Sequence, residues 1–236
     1  MNIILTFLIF ITGFQQPSMV LKESKLKLDD GTELLYTTLY PSRIKKNQKV
    51  PLVVALHWGW DRSKPLPAWF GKDFLTRIIQ PAFEEISPVI IAPDCPSDTW
   101  DNPTSEKAVL LLMDAIMKKY PVDSSRIFIT GYSLGGIGTW YISSRHQDLF
   151  SLAIPMASSC HEEWLRDWKD LPVFIIQGTA DESFPFADIE IKANELIKKN
   201  PGTKLIRIDN ASHYDTGKFI IPLKYSYKWL SEQNLQ

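Results

Sequence analysis

Hydrophobic and polar positions fall into short blocks that change period along the chain. Residues 24–30 alternate, Gly31 turns the chain, and residues 33–40 alternate again, which predicts an antiparallel hairpin at a sheet edge. The next block, Pro51 to His57, is apolar without interruption, as a strand covered on both faces should be. Short apolar runs at Val89–Ala92 and Ile127–Thr130 predict two more buried strands, and Phe150–Pro155, Val173–Gln177 and Lys204–Ile208 predict three further strands. Between them lie helical stretches. Apolar positions 109, 112, 113 and 116 form one stripe over residues 105–119. Residues 73–85 predict a helix that Pro81 should kink or break, residues 161–170 a short amphipathic helix, and residues 187–199 and 219–232 two more. The last turn of the helix over 187–199 is basic, which suits its dipole.

Strands alternating with helices from residue 51 onward imply an α/β fold. Its sheet is mostly parallel, with helices on both faces and right-handed crossovers. The N-terminal hairpin adds antiparallel strands. No insertion is long enough for a lid domain, the longest connection being around residues 156–171.

Within that alternation one stretch carries chemistry. The run Ile127 to Thr130 leads at once into Gly131-Tyr132-Ser133-Leu134-Gly135 and then into a stretch that can be helical. Strand, Gly-x-Ser-x-Gly, helix is the context of a nucleophile elbow, where a strained turn exposes the serine hydroxyl above the sheet. By composition alone the pentapeptide arises in a chain of this length with probability roughly 0.08, so the placement and the partners matter more than the match. Ser133 is the candidate nucleophile.

A serine hydroxyl needs a base, and the base needs a group that holds its tautomer. In an open α/β sheet these come from loops at the carboxyl ends of strands. The run 173–177 leads into Gly178-Thr179-Ala180-Asp181, and the run 205–208 leads to His213. The order Ser133, Asp181, His213 is that of α/β-hydrolases. The other histidines fit the base less well: His146 follows the elbow helix, His161 sits in a polar helical stretch, and His57 precedes the serine. Asp167 and Asp188 lie in amphipathic helices, and Asp94 reads as a turn residue. An oxyanion needs donors. One is the N–H of Leu134. The second comes from the loop His57-Trp58-Gly59-Trp60, from Gly59 or alternatively from Trp58, with His57 bracing the loop. Trp58, Trp60 and Trp100 follow strand ends and are candidate substrate-binding residues, whereas Trp140, on the elbow helix, reads as core.

From about residue 50 the chain resembles the α/β-hydrolase superfamily. It is most similar to compact esterases of the feruloyl and acetyl-xylan type, to polyhydroxybutyrate depolymerases and to prolyl-oligopeptidase-type hydrolase domains. The stretches that carry the likeness are residues 56–60, 122–140 and 177–186, together with His213. Pro185 falls where such enzymes often carry Val-Pro after the acid. One departure stands out: Trp58 replaces the glycine that usually follows the strand-ending histidine. The resemblance implies a serine hydrolase that cleaves carboxylic esters through an acyl-enzyme, without a cofactor. Its substrate would be a small-molecule or polysaccharide-linked ester. Thioester or dienelactone hydrolysis is the alternative, peptidase activity a more distant one, and a silent glycan-binding module the non-enzymatic one.

Composition limits the remaining possibilities. At 236 residues, 44% hydrophobic and 22% charged, the chain is one globular domain, assigned to residues 20–236, plus a leading segment. A net charge of −1 leaves no basic footprint for nucleic acid. Residues 3–14 are apolar and uncharged and fit the core of a signal peptide over residues 1–16, although no Lys or Arg precedes them and no A-x-A-like site follows. That implies a secreted or periplasmic protein with no stable membrane insertion once the segment is removed. Cys95 and Cys160 should end strands with two others between them, roughly 14 Å apart at ~4.8 Å per spacing. That is too far for a disulfide, so both are expected to be free thiols. Neither lies in a metal-binding spacing.

Overall fold

The computed structural model describes residues 18–233. The signal-peptide segment read at residues 1–16 lies outside the described residues. The chain begins with the hairpin β1 (Met19–Lys27) and β2 (Glu33–Pro41), paired antiparallel in continuous register from Met19 opposite Pro41 to Lys27 opposite Glu33. Then come β3 (Val50–Leu56), α1 (Gly71–Phe74), a π-helical turn (Leu75–Ile79), α2 (Gln80–Phe83), β4 (Val89–Pro93), α3 (Pro103–Lys119) and β5 (Val122–Tyr132). The second half holds α4 (Leu134–Arg145), β6 (Leu152–Met156), α5 (Glu162–Arg166), β7 (Val173–Gly178), α6 (Phe186–Lys199), β8 (Thr203–Ile208) and α7 (Ile220–Gln233). The strands form one eight-stranded sheet in the order β1-β2-β4-β3-β5-β6-β7-β8. The pairings of β1 with β2 and of β2 with β4 are antiparallel, and all others are parallel.

The uninterrupted apolar strands are explained by two cores, one on each face. Leu52, Val54, Leu56, Ile127 and Ile129 point to one side, where they meet Val109, Leu112, Trp140 and Leu196 from α3, α4 and α6. Val53, Ala55, Phe128, Ile90 and Ile154 point to the other, against Phe74, Phe83, Leu223 and Trp229 from α1, α2 and α7. Successive side chains on a strand alternate faces, so a strand buried on both sides is apolar at nearly every position, with Thr130 and Gln177 as buried polar exceptions near the strand ends.

Two local outcomes differ from the sequence pattern. Pro81 does not break its helix. The preceding turn, Leu75–Ile79, widens to the π form instead. Proline has no N–H to donate and its ring crowds the carbonyl four residues back, so a widened turn relieves both problems. The strand expected at Ile127–Thr130 runs from Val122 to Tyr132, since Val122 also pairs with Val50 of β3 across an irregularity that takes up Asp123 to Arg126. Asp123 accepts from the Ser125 N–H and from Arg126 Nε, which closes that local turn.

The sheet changes direction of travel between β3 and β5. The chain moves outward from β3 to β4, returns to β5 on the other side of β3, and continues to β8. Leu56 and Gly131 are register partners at the carboxyl ends of β3 and β5, as Gly178 and Ile208 are for β7 and β8. Loops that leave a parallel sheet at such a switch point are free to converge on a ligand.

Candidate active site

Ser133 sits between β5 and α4 with φ 55° and ψ −117°, a backbone conformation that a residue with a side chain rarely adopts. What holds it there is the tightness of the turn. A Cβ at Gly131 would overlap the Gly135 carbonyl, and one at Gly135 would overlap the Leu56 carbonyl. The Ser133 N–H donates to Met156 O at 3.0 Å, which ties the elbow to the end of β6. The outcome is a half-buried hydroxyl at the carboxyl rim of the sheet, where the sequence reading put it.

His213 and Asp181 reach the same point. The loops after β7 and β8 are joined by the Thr179 N–H to Ile208 O and the Ala180 N–H to Ala211 O, both 3.0 Å. His213 Nδ1 lies 3.0 Å and 3.1 Å from the two carboxylate oxygens of Asp181. A carboxylate can only accept, so Nδ1 carries the proton and Nε2 presents its lone pair. The Ser133 hydroxyl donates to that Nε2 across 2.9 Å. Asp181 is itself fixed, its Oδ1 accepting from the Ser183 and Phe184 N–H groups and its Oδ2 from Gln177 Nε2. Both Asp181 and His213 are buried, at 5% and 8% exposure.

The loop after β3 forms the opposite wall, and His57 organises it. Its Nδ1 donates to Trp58 O at 2.6 Å, and its Nε2 accepts from the Cys95 N–H at 3.0 Å. This uses both ring nitrogens of a neutral imidazole. Complete burial lowers its pKa to about 4. His57 therefore braces the loop, as its place at the strand end suggested. Gly59 is exposed and faces the elbow: a Cβ built on it would lie 3.9 Å from Leu134 Cβ. Leu134 opens α4, so its N–H belongs to the first turn, where donors lack intrahelical acceptors.

The tryptophans separate. Trp58 lines a cavity of about 560 Å³ beside Ser133 and His213, with Tyr132, Tyr214 and Arg77 as further walls. The reading of Trp100 as a cleft residue is corrected. It is fully buried, and its Nε1 donates to His57 O at 3.0 Å. The loop after β4 folds back under the β3 loop, and Gly138 makes room, since a Cβ there would overlap Trp100 Cβ. Trp60 does not line this cavity either; the Arg62 guanidinium covers its ring at 3.9 Å. Trp140 is core. His146 Nε2 donates to the Glu106 carboxylate at 2.6 Å, away from the cavity, and His161 packs edge-on against Trp164. Asp94 accepts from the Trp69 and Gly71 N–H groups and so anchors the start of α1. Cys95 and Cys160 are buried free thiols, and burial raises the Cys160 thiol to about 12.

Arg77, Tyr132 and Tyr214 line the cavity, and Gln177 and Glu182 hold Asp181 and the His213 backbone, although no motif in the sequence marks any of the five. Tyr132 and Glu182 are sequence neighbours of the serine and the acid, which was the one available signal.

The fold and this geometry define an α/β-hydrolase. Residues 97–216 match the dienelactone hydrolase family, and the chain belongs to it. Among curated relatives, cutinase est1 of Thermobifida alba is 29% identical over 189 residues, covering 75% of this chain and 58% of that protein. The bifunctional acetylxylan esterase/xylanase XynS20E of Neocallimastix patriciarum is 23% identical over 94 residues, covering 39% of this chain and 14% of that one. Among solved structures, a thermostable esterase superposes with a TM-score of 0.76 at 22% identity, over 90% of this chain and 62% of its own. A ferulic acid esterase gives 0.67 at 18% identity, over 91% and 98%. The chain thus spans less than two thirds of the length of cutinase est1 and of the thermostable esterase.

Proposed function

We propose that this protein is a serine hydrolase that cleaves carboxylic esters through an acyl-enzyme, with Ser133 as nucleophile, His213 as base and Asp181 as the residue that orients it. The observation that carries this is the unbroken line from the Ser133 hydroxyl to His213 Nε2, at 2.9 Å, and from Nδ1 to Asp181, at 3.0 Å.

In this mechanism Ser133 Oγ attacks the ester carbonyl carbon and its proton passes to Nε2. Asp181 stabilises the imidazolium that forms. The charge on the carbonyl oxygen is held by the N–H of Leu134 and that of Gly59, with Trp58 as the alternative second donor. The carbon–oxygen bond to the leaving alcohol then breaks, and the alcohol takes the proton from Nε2. Water enters by the same route: it gives a proton to Nε2 and attacks the acyl carbon, the bond from that carbon to Ser133 Oγ breaks, Oγ takes the proton back from Nε2, and the carboxylic acid leaves.

The cavity wall of Trp58, Tyr132 and Tyr214 favours a substrate with a flat or apolar acyl group. With a cutinase, an acetylxylan esterase and a ferulic acid esterase among its relatives, aromatic or carbohydrate-linked acyl esters are the favoured class. The family match favours a second reading, hydrolysis of a dienelactone at the same serine, with a thioester as the related alternative. A panel of nitrophenyl esters, feruloyl and acetyl-xylan substrates, a dienelactone and a thioester separates the two. On the substrate turned over best, Ser133→Ala should lower kcat on the order of 10⁴-fold or more. An unchanged kcat in that variant would remove Ser133 from the mechanism.

A further inference from the structure

Hydrogen bonds at both ring nitrogens set the rotation of the His213 imidazole, but they do not set where its Cα lies. His213 stands in an irregular loop between Ile208, the end of β8, and the helical turn that starts at Thr216, with Asn210 at φ 54° inside it. Two contacts fix its main chain. The His213 N–H donates to Glu182 Oε2 at 3.0 Å, and the His213 carbonyl accepts from the Tyr132 hydroxyl at 2.7 Å. Glu182 is the residue after the acid, and Tyr132 is the residue before the nucleophile. Each of the other two members of the constellation therefore has a neighbour that grips the histidine backbone.

The two contacts differ in kind. Tyr132 is 2% exposed, and its ring packs 4.9 Å from Phe219. Burial raises its phenol well above the ordinary tyrosine value, so it stays a hydrogen-bond donor. Glu182 is an exposed residue whose carboxylate turns back onto a peptide N–H. A charge-assisted bond of this sort is stronger than a neutral one.

We propose that Glu182 and Tyr132 are positioning residues that clamp the main chain of His213 from both sides and hold its imidazole within reach of the Ser133 hydroxyl. The proposal rests on His213 being the base. A displacement near 1 Å in a reacting group costs up to about 10²-fold in rate, so loss of the Glu182 contact acts on kcat, and Glu182 does not line the cavity.

Glu182 carries the test, because Tyr132 also lines the cavity. Steady-state kinetics on the best nitrophenyl ester are compared for wild type, Glu182→Ala, Glu182→Gln and Tyr132→Phe, with His213→Ala as reference and Tm measured for each. Glu182→Ala should lose roughly 10- to 100-fold in kcat with KM within twofold of wild type. Glu182→Gln keeps an oxygen that accepts the same N–H and should recover to within about threefold of wild type. The double variant Glu182→Ala/Tyr132→Phe should lose less than the product of the single losses, since both act through one backbone segment. A His213→Ala variant with wild-type kcat would instead dispose of the base itself. If His213→Ala is inactive but Glu182→Ala keeps wild-type kcat, the clamp is overturned. It is also overturned if Glu182→Ala changes only KM or only Tm, or if Glu182→Gln is as impaired as Glu182→Ala.

Discussion

At the residue scale, the site is a set of groups whose hydrogen-bond roles are forced by their neighbours. Asp181 can only accept, so His213 Nδ1 must donate and Nε2 must face Ser133. The same logic applies to His57, whose ring nitrogens are committed to the Trp58 carbonyl and the Cys95 N–H. Trp100 belongs to this bracing group and not to the substrate. Trp100→Phe removes the donor to the buried His57 carbonyl, with an expected stability loss of about 1–3 kcal/mol. Denaturant unfolding should show that loss, while KM stays at the wild-type value; a raised KM with unchanged stability would return Trp100 to the cleft. That Ser133, Asp181 and His213 meet at one rim was legible in the sequence, because each follows an apolar run and the chain order is restrictive. The fate of the tryptophans was not. A position just past a strand end says which rim a residue is on, but not whether its loop folds over the cavity or under it.

At the element scale, the elbow depends on how closely three segments approach. The end of β3, the turn at Ser133 and the start of α4 pack backbone against backbone at Gly131 and Gly135. A methyl at Gly135 meets the carbonyls of Leu56 and His57, and neither is the end of a flexible side chain. Gly135→Ala is therefore expected to cost roughly 3 kcal/mol, the upper end for overpacking. In a domain of this size that lowers Tm by about 6–12 °C. Calorimetry with a Tm within 2 °C of wild type would show that the turn is looser than described. Most strands were legible because burial on both faces leaves an unbroken apolar run, as in Val50–Leu56. Two features were hidden. The position of β4 between β2 and β3 depends on pairing between distant segments, which periodicity does not encode. The widened turn before Pro81 was also hidden, since a proline signals that a helix must adjust but not how. Gly138 held an unused cue: a glycine inside a helix often marks close approach, here by Trp100.

At the scale of the whole molecule, buried histidine links stability to pH. Burial lowers the His57 pKa to about 4 in the fold, against an ordinary value of 6.5. Between those values the unfolded chain binds a proton that the folded chain does not, so stability is full above about pH 6.5 and falls as pH drops toward 4. The full effect is on the order of 3 kcal/mol. Urea midpoints at pH 7, 5 and 4 should decline steeply in wild type and less steeply in His57→Asn, which starts from lower stability but lacks the titration. Identical slopes would mean that His57 is not what acid attacks. The overall plan follows from the same economy of placement. A sheet with two cores holds the loops that carry Ser133, Asp181 and His213 at one rim.

The central claim is that Ser133 is the activated nucleophile. Its most direct measurement is mass spectrometry of the intact protein and its peptides after reaction with a fluorophosphonate. A single adduct on the peptide containing Ser133 is predicted, absent in Ser133→Ala and formed far more slowly in His213→Ala. An adduct on another residue, or equal labelling of the Ser133→Ala variant, would contradict the account.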